Sequence, residues 1–454
     1  MEINPESEIN EGIFYENSGD FEAAIIGCYS GLQSLHNGGI LHLSELTTDN
    51  AMIQWTGPSI SQRECDEYSF TFSNEIIEGI WTNCFTTISR CNNILSRVSD
   101  SNISENDKNK FKGEALFLRA YNYFLLVQFF GDLPIVGRSF RSPDEIFEFN
   151  MNRKPIDEVY QLITDDLVKA KELLLNGNNK VRASKNAACT LLAKVYLTIE
   201  EYSESEKLLN EVILSGTYSL QEDYFSNFTN GNENNEESIF EIPYLSGNLG
   251  EGNNFSTTFT PAIFNMAIFP GNMVGGGAIV PTEDMFEIYE TGDRRRKSIN
   301  DSVLLIDGTY EKSLYGVKFV DFSSGIIGDG GINFTSLRYA DVILMYAEVL
   351  DKLGRIDESM EYLNQVRKRA GLEGFNDANN INLSEMILKE RRVEFFLEGH
   401  RWFDLKRTNQ LEKVMNDYFE KNNLGFSVEN HELLLPIPQR EININSSLSQ
   451  NPGY

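Results

Sequence analysis

Apolar residues recur at helical spacing, three and four positions apart, along most of the chain. Behind Asp20, residues Phe21, Ala24, Ile25, Cys28, Leu32 and Leu35 make one such stripe. The same pattern predicts helices over 74–98, from a Ser104 cap to Gly131, and over 156–175, 184–199 and 202–215. Further on it predicts 336–353, 355–370 and 384–406, with Gly399 ending a helix and Arg401–Trp402 opening the next turn. Ser104, with Asp107 at the capping-box position, is a start signal, because both side chains satisfy amide groups that the first turn leaves unpaired.

Two stretches break the rhythm. Residues 37–70 are polar and turn-rich around "TTDNAMIQWTGPS", and residues 226–335 carry Gly, Asn and aromatics without a sustained period. Long irregular segments in a compact domain are usually functional, so any site is expected there. The divisions expected are an N-terminal extension (1–19), a helical region (20–225), a loop-rich region (226–335) and a C-terminal helical region (336–454).

A repeat runs at an offset of 154 without a gap: Ala193, Val195, Glu204, Ser205, Leu209, Asn210 and Val212 recur as Ala347, Val349, Glu358, Ser359, Leu363, Asn364 and Val366. Leu192-Ala193-x-x-Tyr196 matches the first helix of a tetratricopeptide repeat, with small Ser205 where the paired helices cross most closely. Such pairs need neighbours to bury their faces, so helices within 105–175 should supply further units. The fold class expected is mainly α, built on tetratricopeptide-like helix pairs, with a loop-rich region containing short β-strands.

Charge narrows the partners. A net charge of −29 argues against nucleic acid, whose binding neutralises phosphates with Lys and Arg, and suits a neutral ligand or a cation better. The five cysteines form no C-x-x-C pair and are odd in number, so no disulfide framework is expected. No apolar run approaches the twenty residues of a spanning helix.

The densest run of reactive side chains is "ERRVEFFLEGHRWFDLKR", Glu390 to Arg407. Glu390, Glu394 and Glu398 fall four apart, placed to pair with arginines of neighbouring elements. Trp402 suits an inter-helix wedge, and His400 beside a helix end reads as a structural donor. His36, His42, His400 and His431 give no zinc spacing, and neither a nucleophile elbow nor a phosphate loop occurs. No catalysis, metal or cofactor is therefore expected.

In the two irregular segments, Asp49, Asn50 and Trp55 in "DNAMIQW" are the first candidate ligand contacts, and Phe269 and Asn272 in "FPGNM" the second.

The chain resembles the SusD/RagB family of outer-membrane nutrient-binding lipoproteins. The matching runs include "EALFLRAYNYFLLVQFFGDLPIV", "LRYADVILMYAEVL", "ERRVEFFLEGHRWFDLKR", "LLLPIP" and the closing "QNPGY", in family order. The resemblance implies a SusD-like helical fold and a glycan-binding protein, lipid-anchored at the cell surface, which delivers glycans to a SusC-like TonB-dependent transporter. It implies glycan contacts in the two irregular segments, where a ring such as Trp55 or Phe269 would stack on the C–H face of a pyranose and Asp49, Asn50 or Asn272 would meet its hydroxyls, and a signal peptide and lipidated cysteine beyond the start "MEINPESEINEG". The alternatives are a glycoside-processing enzyme on a helical scaffold and a cytoplasmic tetratricopeptide adaptor.

Overall fold

The structure is a computed structural model that describes residues 14–54, 59–140, 142–269, 274–376 and 382–454. In chain order the N-terminal half carries α1 (Ser18–Ser34), α2 (Ile40–Glu45), α3 (Ile60–Asp66), α4 (Glu75–Val98), α5 (Glu105–Phe130) and α6 (Pro143–Glu148). It continues with α7 (Ile156–Leu173), α8 (Lys185–Thr198) and α9 (Tyr202–Leu214). The short α10 (Phe255–Thr258) and α11 (Glu283–Glu287) precede α12 (Tyr339–Lys352), α13 (Ile356–Arg369) and α14 (Leu383–Glu394). Three helices close the chain: α15 (Arg401–Arg407), α16 (Leu411–Lys421) and α17 (Gln439–Ile444).

The long helices pack in succession: α1 on α4, α4 on α5, α5 on α7, α7 on α8, α8 on α9, α9 on α12 and α12 on α13. From Phe111 to Phe130 nearly every residue of α5 is buried, so this helix is the axis of the core. A helix hidden all round carries little amphipathic signal, and only its length and its cap mark it in the sequence. Ser104 caps it, accepting from the Asp107 amide at 3.2 Å. Inside, Arg119 on α5 makes two 2.7 Å bonds to Asp166 on α7.

The 154-residue repeat is a repeat of contacts. Ser205 donates to the Ala193 carbonyl (2.8 Å), and Ser359 donates to the Ala347 carbonyl (2.6 Å). Both serines are fully buried, where a larger side chain would push the helix pairs α8/α9 and α12/α13 apart. The turns match as well. Gly354 has φ +76° and Glu200, its counterpart, φ +64°. A left-handed backbone strains any residue with a Cβ, so Glu200→Gly is expected to raise stability by about 0.5–1 kcal/mol. A urea midpoint that fell, or stayed put, would contradict this.

The strands are short: β1 (Ala51–Met52), β2 (Leu133–Pro134), β3 (Arg153–Lys154), β4 (Ser238–Ile242), β5 (Val280–Pro281), β6 (Ile299–Leu304), β7 (Tyr310–Gly316) and β8 (Phe334–Arg338). They pair antiparallel as β1–β5, β2–β3, β4–β8 and β6–β7.

Three expectations are corrected. The helix expected over 336–353 begins at Tyr339, because Phe334–Arg338 is a strand laddered to β4. The helix expected over 384–406 stops at Glu394, and Leu397 and Gly399 take positive φ before α15 starts at Arg401. Within 37–70, Ile40–Glu45 is a helix whose six residues are all buried, polar Ser44 and Glu45 included. All five cysteines are buried free thiols, and among the described residues no helix is long and apolar enough to cross a membrane.

Candidate functional site

The two irregular segments are brought together. Ala51 and Met52 pair with Pro281 and Val280, and the Gln54 amide donates to the Gly277 carbonyl at 2.9 Å. The Gln54 side chain donates to Ser313 on β7 at 2.8 Å, which ties β1 to the β6–β7 hairpin. Residues 265–267 lie along that hairpin: Ile306 donates to the Asn265 carbonyl and Ala267 to the Leu304 carbonyl, both at 2.8 Å. At the hairpin end Asp307 accepts from the Thr309 amide at 2.9 Å, and Gly308 takes φ +84°.

This ridge exposes rings that a core would hide. Phe264 is 72% exposed and Tyr310 is 70% exposed, with Ile306 and Met52 also in solvent. Only two other Phe or Tyr side chains among the described residues, Phe72 and Phe426, are exposed large hydrophobics. Exposed aromatics gathered on one loop cluster mark a contact surface, because apolar area in water is costly unless a ligand covers it. Underneath, Phe269, Met266, Val303 and Tyr315 form a small buried cluster, and Phe269 packs on Phe322 at 4.4 Å. That cluster holds the ridge on its frame.

The residues singled out in the sequence fall in different places. Trp55 and Asn272 lie outside the described residues. Phe269 is buried beneath the ridge. Asp49 and Asn50 are buried too, contrary to the exposed hydroxyl-binding loop expected of them. The Asp49 carboxylate takes bonds from Arg401 (2.9 and 3.0 Å) and lies 2.9 Å from Arg392. Burial alone would raise this carboxyl, but Arg392 and Arg401 hold it below its ordinary value. Asn50 accepts from Arg392 at 2.9 Å and donates to Glu45 at 3.3 Å. The Asp49 and Asn50 carbonyls also accept from Thr282, at 2.8 and 3.0 Å. Asp49 and Asn50 thus bolt both irregular segments to the C-terminal helices.

The Glu390–Arg407 run supplies the other half of that bolt. Glu394 accepts from Arg295 (2.8 Å), Arg338 (2.6 Å) and Arg369. Glu398 accepts from Arg338 at 2.7 Å and from Lys318 at 2.6 Å, and Arg338 also reaches Glu237 at 2.7 Å. Glu390 lies 2.7 Å from Arg295, a charge contact without hydrogen-bond alignment. Burial would raise the Glu394 carboxyl, and its three guanidinium partners instead hold it well below the ordinary range. Burial, reinforced by Lys194, holds His400 well below its ordinary value and hence neutral, stacked on Phe395 at 4.3 Å. These carboxylates are buried and paired charge against charge, which suits holding the fold.

Sequence reasoning passed over Phe264 and Tyr310. Asp307-Gly308 between two β-prone runs is a hairpin signal, and a ring beside such a turn was the available clue.

Comparison with known proteins agrees with this architecture. The family model described as SusD family matches residues 307–454, and the one described as "Starch-binding associating with outer membrane" matches residues 5–197. SusD-like protein P2 of Formosa agariphila is 28% identical over 495 residues, covering 100% of this chain and 96% of that protein. A SusD superfamily protein from Bacteroides vulgatus superposes with a TM-score of 0.83 at 25% identity, covering 97% of this chain and 100% of that one. Surface glycan-binding protein A from Bacteroides fluxus does so with a TM-score of 0.83 at 26% identity, covering 96% of this chain and 99% of that one. In its ordered motifs, its helical repeat and its whole-chain fold, the chain belongs to the SusD/RagB family.

Proposed function

We propose that this protein is a cell-surface, lipid-anchored glycan receptor that captures an oligo- or polysaccharide and passes it to a SusC-like TonB-dependent transporter of the outer membrane. The observation that carries the reading is the pair of exposed rings, Phe264 and Tyr310, on a ridge pinned to a helical frame. A pyranose stacks its C–H face on such a ring, and a platform held rigid before binding loses little entropy when the sugar arrives. The outer-membrane association named in the matching family description, and the name of the Bacteroides fluxus neighbour, surface glycan-binding protein A, support it. The net charge of −29 favours a neutral glycan over an anionic one. Trp55, which follows the hairpin-bound Gln54, and Asn272 are proposed as further contacts, with Asp49, Asn50 and Phe269 holding their segments in place.

The test is calorimetric titration with glycans selected on an array. Stacking contributes about 0.5–1.5 kcal/mol beyond buried area, and each 1.4 kcal/mol is about tenfold in affinity. Tyr310→Ala and Phe264→Ala are each expected to weaken binding about tenfold, and Trp55→Ala by roughly ten- to a hundredfold. Melting temperatures of the Tyr310 and Phe264 variants should barely move, since exposed side chains contribute little to the core. Unchanged affinity in all three would sink the platform. Release of new reducing ends in proportion to protein would favour a glycoside-processing enzyme. Failure to co-purify with a SusC-like transporter would remove the delivery step.

A further inference from the structure

A cleft of about 660 Å³ opens between the middle of α4, the segment after β2 and the C-terminal residues 441–448, and shares no residue with the ridge. We propose that this cleft is a second binding site, for a short neutral oligosaccharide. Its size lies within the range of roughly 300–1,000 Å³ typical of small-ligand sites. The floor is rigid: Trp81 meets Phe130 edge-on at 5.0 Å and Phe85 at 4.8 Å, all rooted in the α4–α5 core. One wall is aromatic, Phe140 against Phe149 at 5.2 Å.

The lip carries neutral polar groups with free valences. Ser89 and Asn152 line the cleft, and their side chains make no hydrogen bond among the described residues. In Asn445 only the oxygen is engaged, by Ser447, which leaves its two N–H groups available. Buried aromatic surface below and unengaged amides and hydroxyls above match the two faces of a sugar ring. Charge disfavours the anionic alternative. Among the described residues, Glu148 and Glu441 line the cleft and no Lys or Arg does. The nearby Arg138 guanidinium lies over the Phe140 and Phe149 rings, 5.1 and 5.4 Å from their centroids.

The site goes beyond the ridge and fails separately from it. The experiment titrates malto-, laminari-, cello- and xylohexaose by calorimetry into wild type and into the Phe264→Ala/Tyr310→Ala ridge variant. The ridge variant is then titrated again carrying either Phe149→Ala or Ser89→Trp. The expected result is a residual binding event in the ridge variant with at least one hexaose. Phe149→Ala should weaken that event about tenfold, and Ser89→Trp, an exposed helix position that fills the cleft, should remove it. Circular dichroism melts check that each variant folds, and the two cleft variants disturb different elements. A ridge variant that binds none of the four sugars, or residual binding that neither cleft variant alters, overturns the proposal. Cleft variants that lose only a co-purifying protein, with sugar binding intact, overturn it in favour of protein docking. Hexaose binding that is lost only with the ridge rings sinks the cleft and leaves the ridge reading standing.

Discussion

Replacing Glu394 with alanine is expected to cost about 3–5 kcal/mol of stability, the usual loss when one partner of a buried charge pair is removed. Three guanidiniums, those of Arg295, Arg338 and Arg369, converge on this one carboxylate, which is fully buried. Without it they stay buried with their charge only partly met by Glu237, Glu390, Glu398 and Asp293. Glu394→Gln keeps an acceptor but not the charge, and should lose less. Urea unfolding of the three proteins at neutral pH measures the series, and an alanine variant as stable as wild type would refute the role.

The network also sets an acid limb. Glu394 is held well below its ordinary value of 4.5 in the folded chain, so the unfolded chain binds its proton more readily. Its contribution is fully present above about pH 4.5 and is lost as pH falls toward the folded value. The stability gap between wild type and Glu394→Ala should therefore narrow on acidification below that point. A gap of constant size down to the acid transition would count against the assignment.

Trp402→Ala should lose a similar amount, about 3–5 kcal/mol, by a different mechanism. The indole is 1% exposed, 4.9 Å from the Phe129 ring and edge-on to Phe403 at 5.2 Å. Lys406 lies over it at 4.8 Å, and burial pulls that amine down to about 7. Alanine would leave a cavity between α5 and α15 that packed neighbours fill only in part. Thermal and urea unfolding read the loss. Glycan affinity of the folded fraction should stay near wild type, since the ridge is built from other elements. A variant of wild-type stability that no longer binds glycan would mean the Glu390–Arg407 run contacts ligand after all.

The helices and the repeat were legible because their signals are local. An apolar position every three or four residues, a capping Ser104 or Ser184, and a small residue twelve positions after its partner carbonyl need no distant neighbour to be read. The charge pairing of Glu390, Glu394 and Glu398 was legible in kind, since carboxylates four apart on one helix face are placed to meet cations of neighbouring elements. Their actual partners were not, because Arg295, Arg338 and Lys318 lie 56 to 99 positions away in the chain.

Local pattern by itself therefore determined the helical class, the paired repeats and the structural character of the C-terminal motif. Tertiary structure alone decided which polar and aromatic groups remain free. Asp49 and Asn50 look like a hydroxyl-binding pair in sequence, yet arginines more than 340 residues away occupy them. Phe264 and Phe269 are five residues apart in similar company, and one stands in solvent while the other is buried. What separates them is the β6–β7 hairpin, which covers one and passes beside the other. Burial depends on segments far off in the chain, and periodicity carries no record of them.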